Sequence, residues 1–304
     1  MMVYLIQRLL QTVVILLGVT LLVFVLIRLS GDPAALYLPE GATDAQISAL
    51  RERLGLDQPL HVQFATFLTS MVRGDFGTSL WHRRPAVDLI LERLPATIEL
   101  TLIALAFAVA IAIPIGVLSA VWRNSAFDAV ARIVALLGLS IPNFWLGIML
   151  ILVFSVELQV LPAFGRGSAS HLILPGIALG SAAAGTIMRL VRSNVLETLH
   201  LDYVRTARAK GLPERVILVK HVLRNSAIPA LTFTGLQLGY LLSGSIVTET
   251  VFAYPGVGRL AVQAINNRDF AVVQAFVAFA AVIFALTNLL VDMLYTLLDP
   301  RIRY

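Results

Sequence analysis

Apolar residues in this chain gather into long runs rather than one-sided stripes. A helix rises about 1.5 Å per residue and bilayer hydrocarbon is roughly 30 Å thick, so about 20 apolar residues suffice to cross it. Runs of that kind lie at residues 9–27, 98–121, 131–156, 172–190, 230–251 and 272–297. They predict an all-α membrane protein with about six transmembrane helices. Arg8 and Arg28 bracket the first run, and no small-residue cleavage site precedes Gly31-Asp32-Pro33, which predicts an uncleaved span. Pro114 and Gly116 predict a kink in the second run, and Ser140-Ile141-Pro142-Asn143 interrupts the third. In the fourth, Gly176, Gly180 and Ala184 recur every fourth residue; Gly235 and Gly239 repeat that spacing in the fifth. Small residues so spaced let helix backbones approach closely in lipid, which places the fourth helix inside the bundle.

Between the first and second runs the pattern turns polar. Thr43 and Gln46 form a capping-box pattern that opens a helix ending near Gly55. Pro59 opens a second helix running to Gly74. Gly74-Asp75-Phe76-Gly77, Trp81 and a short amphipathic piece at 87–94 follow. The chain therefore divides into residues 1–29 (N-terminus and first span), a partly helical insertion at 30–97, and a core at 98–304 with five spans. That core holds a charged central loop at 193–229.

Composition sharpens this division. Of 304 residues, 58% are hydrophobic and only 13% charged, too little charge to cover a soluble protein. The absence of cysteine excludes disulfides, iron–sulfur clusters and thiolate zinc sites. The net charge of +5 comes mostly from the central loop. There Arg189, Arg192, Arg205, Arg208, Lys210, Arg215, Lys220 and Arg224 face only Glu197, Asp202 and Glu214, whereas 157–171 carries Arg166 as its one Lys or Arg. The positive-inside rule puts the central loop and both termini in the cytoplasm, and the 30–97 insertion outside. Trp81 and Trp122 suit interfacial anchors.

Residues 201–229, LDYVRTARAKGLPERVILVKHVLRNSAIP, are the most basic stretch. Gly211-Leu212-Pro213 divides them into two short helices. Val204, Ala207 and Gly211 form a smooth stripe on the first; Val216, Val219 and Leu223 form a similar one on the second. A narrow stripe flanked by charge suits docking onto another protein. The alternative is an amphipathic hairpin lying on anionic lipid.

Tyr203-x-x-x-Ala207-Arg208-Ala209-Lys210-Gly211, followed by His221, Asn225 and Pro229, resembles the coupling loop of ABC-importer permeases. The resemblance is to the B subunit of the dipeptide/oligopeptide (peptide/nickel) branch, and it spans the whole chain. Leu54 to Leu60, Gly74 to Gly77, Glu92 to Thr97, Thr248 to Gly258, Arg268-Asp269-Phe270 and the terminus Leu298 to Arg303 share it. The general Glu-Ala-Ala signature is here Arg205-Thr206-Ala207, and the gap from Gly211 to Pro229 is long; both look usual for this branch. The resemblance implies a type I ABC importer permease fold and half of a translocation pathway for short peptides. It implies a second, homologous permease, two ATPase subunits that grip the loop, and an external substrate-binding protein that meets Gly74, Asp75, Phe76, Gly77 and Trp81. It also implies a coupling surface made of Tyr203, Val204, Arg205, Ala207, Arg208, Ala209, Lys210, Gly211, Leu212, Pro213, His221, Arg224 and Asn225. Relatives in this branch carry nickel chelates, glutathione or sugar oligomers.

Gly-x-x-x-x-Gly-Lys-Ser/Thr and His-Glu-x-x-His are both missing from the sequence. ATP and magnesium are therefore expected on partner subunits, with no catalytic residue, cofactor or metal on this chain. No contact with nucleic acid is expected. His221 suits either a loop contact or a helix-end cap. Gln237, Ser243, Asn288 and Asp292 are polar at membrane depth, and each is a candidate for the pathway or for interhelical hydrogen bonds. Asp292 could also pair with a loop arginine. A stand-alone ion-coupled transporter would need more ionisable groups near mid-bilayer and paired broken helices. An intramembrane enzyme would need a nucleophile–base pair or metal ligands within the spans, and the histidines lie outside them.

Overall fold

The computed structural model of the chain describes the backbone of residues 2–29, 38, 42–53 and 55–298. Side chains are described for 10–26, 29, 38, 42–52, 55–226, 229–230, 233–242, 244–287 and 289. Among the described residues the chain is helical, with one isolated β-bridge between Thr78 and Pro85.

The apolar runs become α1 (Met2–Leu29), α4 (Ala86–Val121), α5 (Ala126–Ser140) with α6 (Asn143–Leu150) and its π-helical continuation π1 (Ile151–Glu157), α7 (Ser170–Leu199), α10 (Arg224–Val251) and α12 (Phe270–Leu298). The insertion contributes α2 (Asp44–Arg53) and α3 (Leu60–Val72). The central loop contributes α8 (Asp202–Ala209), α9 (Glu214–Val216) and π2 (Ile217–Leu223), and α11 is Val257–Asn266. By length and hydropathy α4, α7 and residues 270–287 of α12 can each cross a membrane, and α5 with α6–π1 forms a bent pair.

Local signals set the helix ends. The capping box at α2 is formed: Thr43 N donates to Gln46 Oε1 at 3.0 Å, and Gln46 N to Thr43 Oγ1 at 3.4 Å. Pro59 caps α3, and Gly74 takes a φ of +78° just beyond it.

Three expectations need correction. The amphipathic piece at 87–94 and the second span are one helix of 36 residues, unbroken at Pro95 and Pro114. Each proline removes one N–H donor, and a buried stripe at Ala96, Leu100, Ala104, Ala108 and Ala112 keeps the helix packed between them. The third run is not one continuous helix: α5 and α6–π1 meet at 105°. Ile141 precedes Pro142 and is held in extended geometry, φ −79° and ψ 124°, so the helix stops there. Finally, the second helix of the central loop is not separate from the fifth span. Helical geometry runs from Glu214 through π2 into α10 and past Pro229.

The described chain forms two compact units. One unites the residues up to 95 with 259–286. Here Phe24 of α1 packs on Phe64 and Phe67 of α3, with ring centroids 5.1 and 6.2 Å apart. The turn before α4 is fastened to α12 and the residue preceding it: Phe76 lies against Phe279, and Ser79 Oγ donates to the buried Asp269 Oδ2 at 2.5 Å.

The other unit comprises 96–258 with the end of α12. Its centre is α7, as the small-residue spacing predicts. A β-carbon on Gly180 would stand 2.5 Å from the Ala104 carbonyl of α4; one on Gly185 would stand 2.5 Å from the Ala135 carbonyl of α5. Glycine at these two positions is what brings the backbones together.

Candidate functional site

The central hairpin is the direct continuation of α7. His200 ends that helix, Leu201 is extended, and α8 begins at Asp202. At its far end Gly211 takes a φ of +75°, its N–H donates to the Arg208 carbonyl at 2.9 Å, and Leu212 N donates to the Ala207 carbonyl at 3.3 Å. Left-handed backbone just past a helix favours glycine. Pro213, with φ −66°, then pre-sets the entry to α9.

Packing decides which face of the hairpin is free. Val204 and Ala207, the core of the smooth stripe, are buried against the unit's own apolar centre, as are Ile217 and Val222. The stripe therefore holds the hairpin to its own bundle. Tyr203, Leu212, Val216 and Val219 remain exposed, Val219 most of all at 58%. Arg205, Arg208, Ala209, Lys210, Gly211, Pro213, Arg215, Lys220 and Arg224 are exposed beside them.

Two polar contacts brace this surface. Tyr203 Oη donates to the His221 carbonyl at 3.2 Å, and Asn225 Nδ2 donates to Tyr203 Oη at 2.7 Å. His221 thus enters the knot through its backbone carbonyl. Across the glycine turn, Arg208 Nε donates to Glu214 Oε1 at 2.7 Å. That hydrogen bond from Arg208 holds the Glu214 carboxyl below its ordinary range, against the opposing effect of burial.

The insertion motif sorts in a similar way. Asp75 Oδ1 accepts from Gly77 N at 2.9 Å, which closes a local turn. Phe76 faces Phe279, and a β-carbon on Gly77 would touch Ala271 at 3.7 Å. Gly74 and Asp75 are exposed, and Trp81 is 70% exposed. Among the membrane-depth polar residues Gln237 is buried. The side chains of Ser243, Asn288 and Asp292 lie outside the described residues. Among the described residues no group of three or more His, Asp or Glu side chains is placed to hold a metal ion.

Comparison with known proteins bears on this arrangement directly. Residues 112–304 match the model of the binding-protein-dependent transport system inner membrane component family, and residues 1–101 match that family's N-terminal component. The chain belongs to this permease family. It is 43% identical to the dipeptide transport system permease protein DppB of Alkalihalophilus pseudofirmus, over the whole of both chains. It is 47% identical to the glutathione transport system permease protein GsiC of Salmonella choleraesuis, over 99% of each. A solved chain from the MetNI methionine ABC transporter shares the fold, with a TM-score of 0.57 at 21% identity over 69% of this chain and 96% of that one. The chain is thus a membrane-embedded permease subunit of an ABC importer, with the type I importer fold. It works with other components of such a system.

Two buried polar clusters of this permease escaped sequence reasoning. Near the start of α5, Asp128 is fully buried; Arg192 of α7 grips it through Nε to Oδ1 at 2.7 Å and Nη2 to Oδ2 at 2.9 Å. The only signal was opposite charge at the ends of two apolar runs. At the end of α10, Glu249 is fully buried and accepts from Thr97 Oγ1 at 2.6 Å, while Val257 N donates to the same hydroxyl at 2.9 Å. β-Carbons on Gly256 and Gly258 would lie 2.2 and 2.9 Å from atoms of the Glu249 carboxyl. Beside them, burial and then a 3.1 Å hydrogen bond to Glu99 push the Tyr254 hydroxyl up to about 12. Thr248-Glu249-Thr250 reads in sequence as a polar external turn, which hid its packed role.

Proposed function

We propose that this permease forms half of a translocation pathway for short peptides and pairs with a second, homologous permease. Two cytoplasmic ATPases, which carry the ATP and magnesium, drive it through the hairpin at 201–229. An external binding protein delivers substrate at the 30–97 insertion. The permease lies in a bacterial inner membrane with both termini in the cytoplasm, as the loop charge favours.

One observation carries the reading: the hairpin grows directly from α7 and presents an exposed apolar face of Tyr203, Leu212, Val216 and Val219 ringed by cations. Because its inner face is locked to the bundle by Val204, Ala207, Ile217 and Val222, a push on the outer face moves helices rather than a loose loop.

The 47% identity to a glutathione permease favours a second cargo. Glutathione is itself a tripeptide, so both readings share a peptide-shaped pathway. Proteoliposomes that hold the permease with its partner permease, ATPases and binding protein test the proposal. ATP-dependent uptake of labelled dipeptide, competed by other peptides, is expected. Competition by glutathione alone selects the second cargo, and uptake by this chain without ATPases overturns both.

A further inference from the structure

The hairpin can transmit force only if α7 is fixed to the rest of its bundle where the two meet, and one buried cluster sits there. Arg192 lies two turns before the end of α7. Its guanidinium forks onto both oxygens of Asp128, with Nε to Oδ1 at 2.7 Å and Nη2 to Oδ2 at 2.9 Å. Ser119, near the end of α4, donates from Oγ to Asp128 Oδ1 at 2.5 Å. Asn124 N donates to Oδ2 at 3.1 Å from the α4–α5 turn, where Asn124 takes a φ of +64°. Asp128 and Ser119 are both 0% exposed, while Arg132 lies near the carboxylate from the exposed side at 3.5 Å. One carboxylate therefore ties three helices together about two turns before α7 gives way to the hairpin.

Apolar packing alone allows such helices to slide by small steps, whereas a bidentate fork fixes both distance and rotation. A buried pair of this kind contributes little net stability against an apolar replacement, so its presence here points to specificity of geometry rather than to stability. We infer that Asp128 and Arg192 are positioning residues that clamp α7 to the α4–α5 corner and convert ATPase-driven movement of the hairpin into helix movement. The inference rests on the hairpin docking the ATPases.

The test uses the full transporter in proteoliposomes, with uptake and ATP hydrolysis measured per assembled complex. Three variants are compared: Asp128→Asn; Arg192→Lys; and the apolar pair Asp128→Leu with Arg192→Met. A clamp predicts complexes that keep their ATPases and hydrolyse ATP, but with hydrolysis that no longer responds to loaded binding protein. Uptake per complex should fall by about tenfold, inside the roughly 5- to 150-fold range of coupling between sites. A merely structural pair predicts less complex with unchanged uptake per complex, and in the apolar pair full recovery of both; either result overturns the inference. Should the apolar pair fail to assemble, Arg192→Lys, which keeps the charge, decides by the same ratio. Wild-type complex that never retains ATPases would overturn the docking reading and the clamp with it. Retained ATPases with normal coupling in the variants would overturn the clamp alone.

Discussion

Gly211 in the hairpin and Gly256 in the turn before α11 follow helix ends in the same unit, yet they are glycines for opposite reasons. Gly211 has φ +75° and open space around it: a β-carbon there meets nothing within 4 Å. At Gly256 the nearest atoms of the buried Glu249 carboxyl would stand 2.2 to 2.4 Å from a β-carbon. The hairpin keeps glycine for a backbone bend and leaves its outer surface clear. The turn keeps glycine because the Glu249 carboxylate fills the space. An open bend and a closely packed corner therefore look alike in sequence and differ in packing.

Substitutions can break that contrast, and their expected effects on stability fall in order. Gly256→Val should cost most, about 3 kcal/mol by overpacking, because Glu249 is fully enclosed and has no room to retreat. Thermal unfolding in detergent should show a large drop in transition temperature, and an unchanged midpoint would mean that the turn is loose. Gly180→Val follows at about 2 kcal/mol, since it forces apart the contact with the Ala104 carbonyl. The same melting assay checks it.

Gly211→Trp sharpens the comparison most. Strain from the left-handed backbone should cost only about 1 kcal/mol, with normal membrane insertion. ATPase co-purification and uptake should nonetheless be lost, because the side chain projects from the free face. Unchanged uptake would remove the docking role from the hairpin. The smallest effect belongs to Glu214→Gln, at under about 0.5 kcal/mol, because the pair with Arg208 is largely exposed. The folded state holds Glu214 below its ordinary value of 4.5, so the pair's contribution is present above that value. It is lost as pH falls through the lower folded value, so the melting temperatures of wild type and variant should differ by the same small amount at pH 6 and pH 8.

Much of this architecture was legible in the sequence because a membrane imposes long apolar runs and small residues at fourfold spacing. The six runs, the α2 capping box, the turn at Gly211 and the central place of α7 follow from those rules. What the pattern hid was direction. Val204 and Ala207 form a stripe by spacing alone, but spacing does not say whether a stripe faces a partner or its own bundle. Proline was also ambiguous: Pro114 leaves α4 intact, whereas Pro142 follows an extended residue and turns the chain by 105°. Asp128 and Glu249 went unrecognised because burial of a carboxylate depends on partners far away in sequence, Arg192 and Thr97.

If a partner from the cytoplasm covers the hairpin's outer face, access to that face changes when the partner is removed. The chain lacks cysteine, so Val219→Cys gives a single thiol at the most exposed apolar position of that face. Labelling with a membrane-impermeant maleimide measures its access. No labelling is expected in intact cells, with strong labelling in inside-out vesicles stripped of ATPases and protection when the ATPases are restored. Labelling from outside the cell, or equal labelling with and without the ATPases, would contradict it.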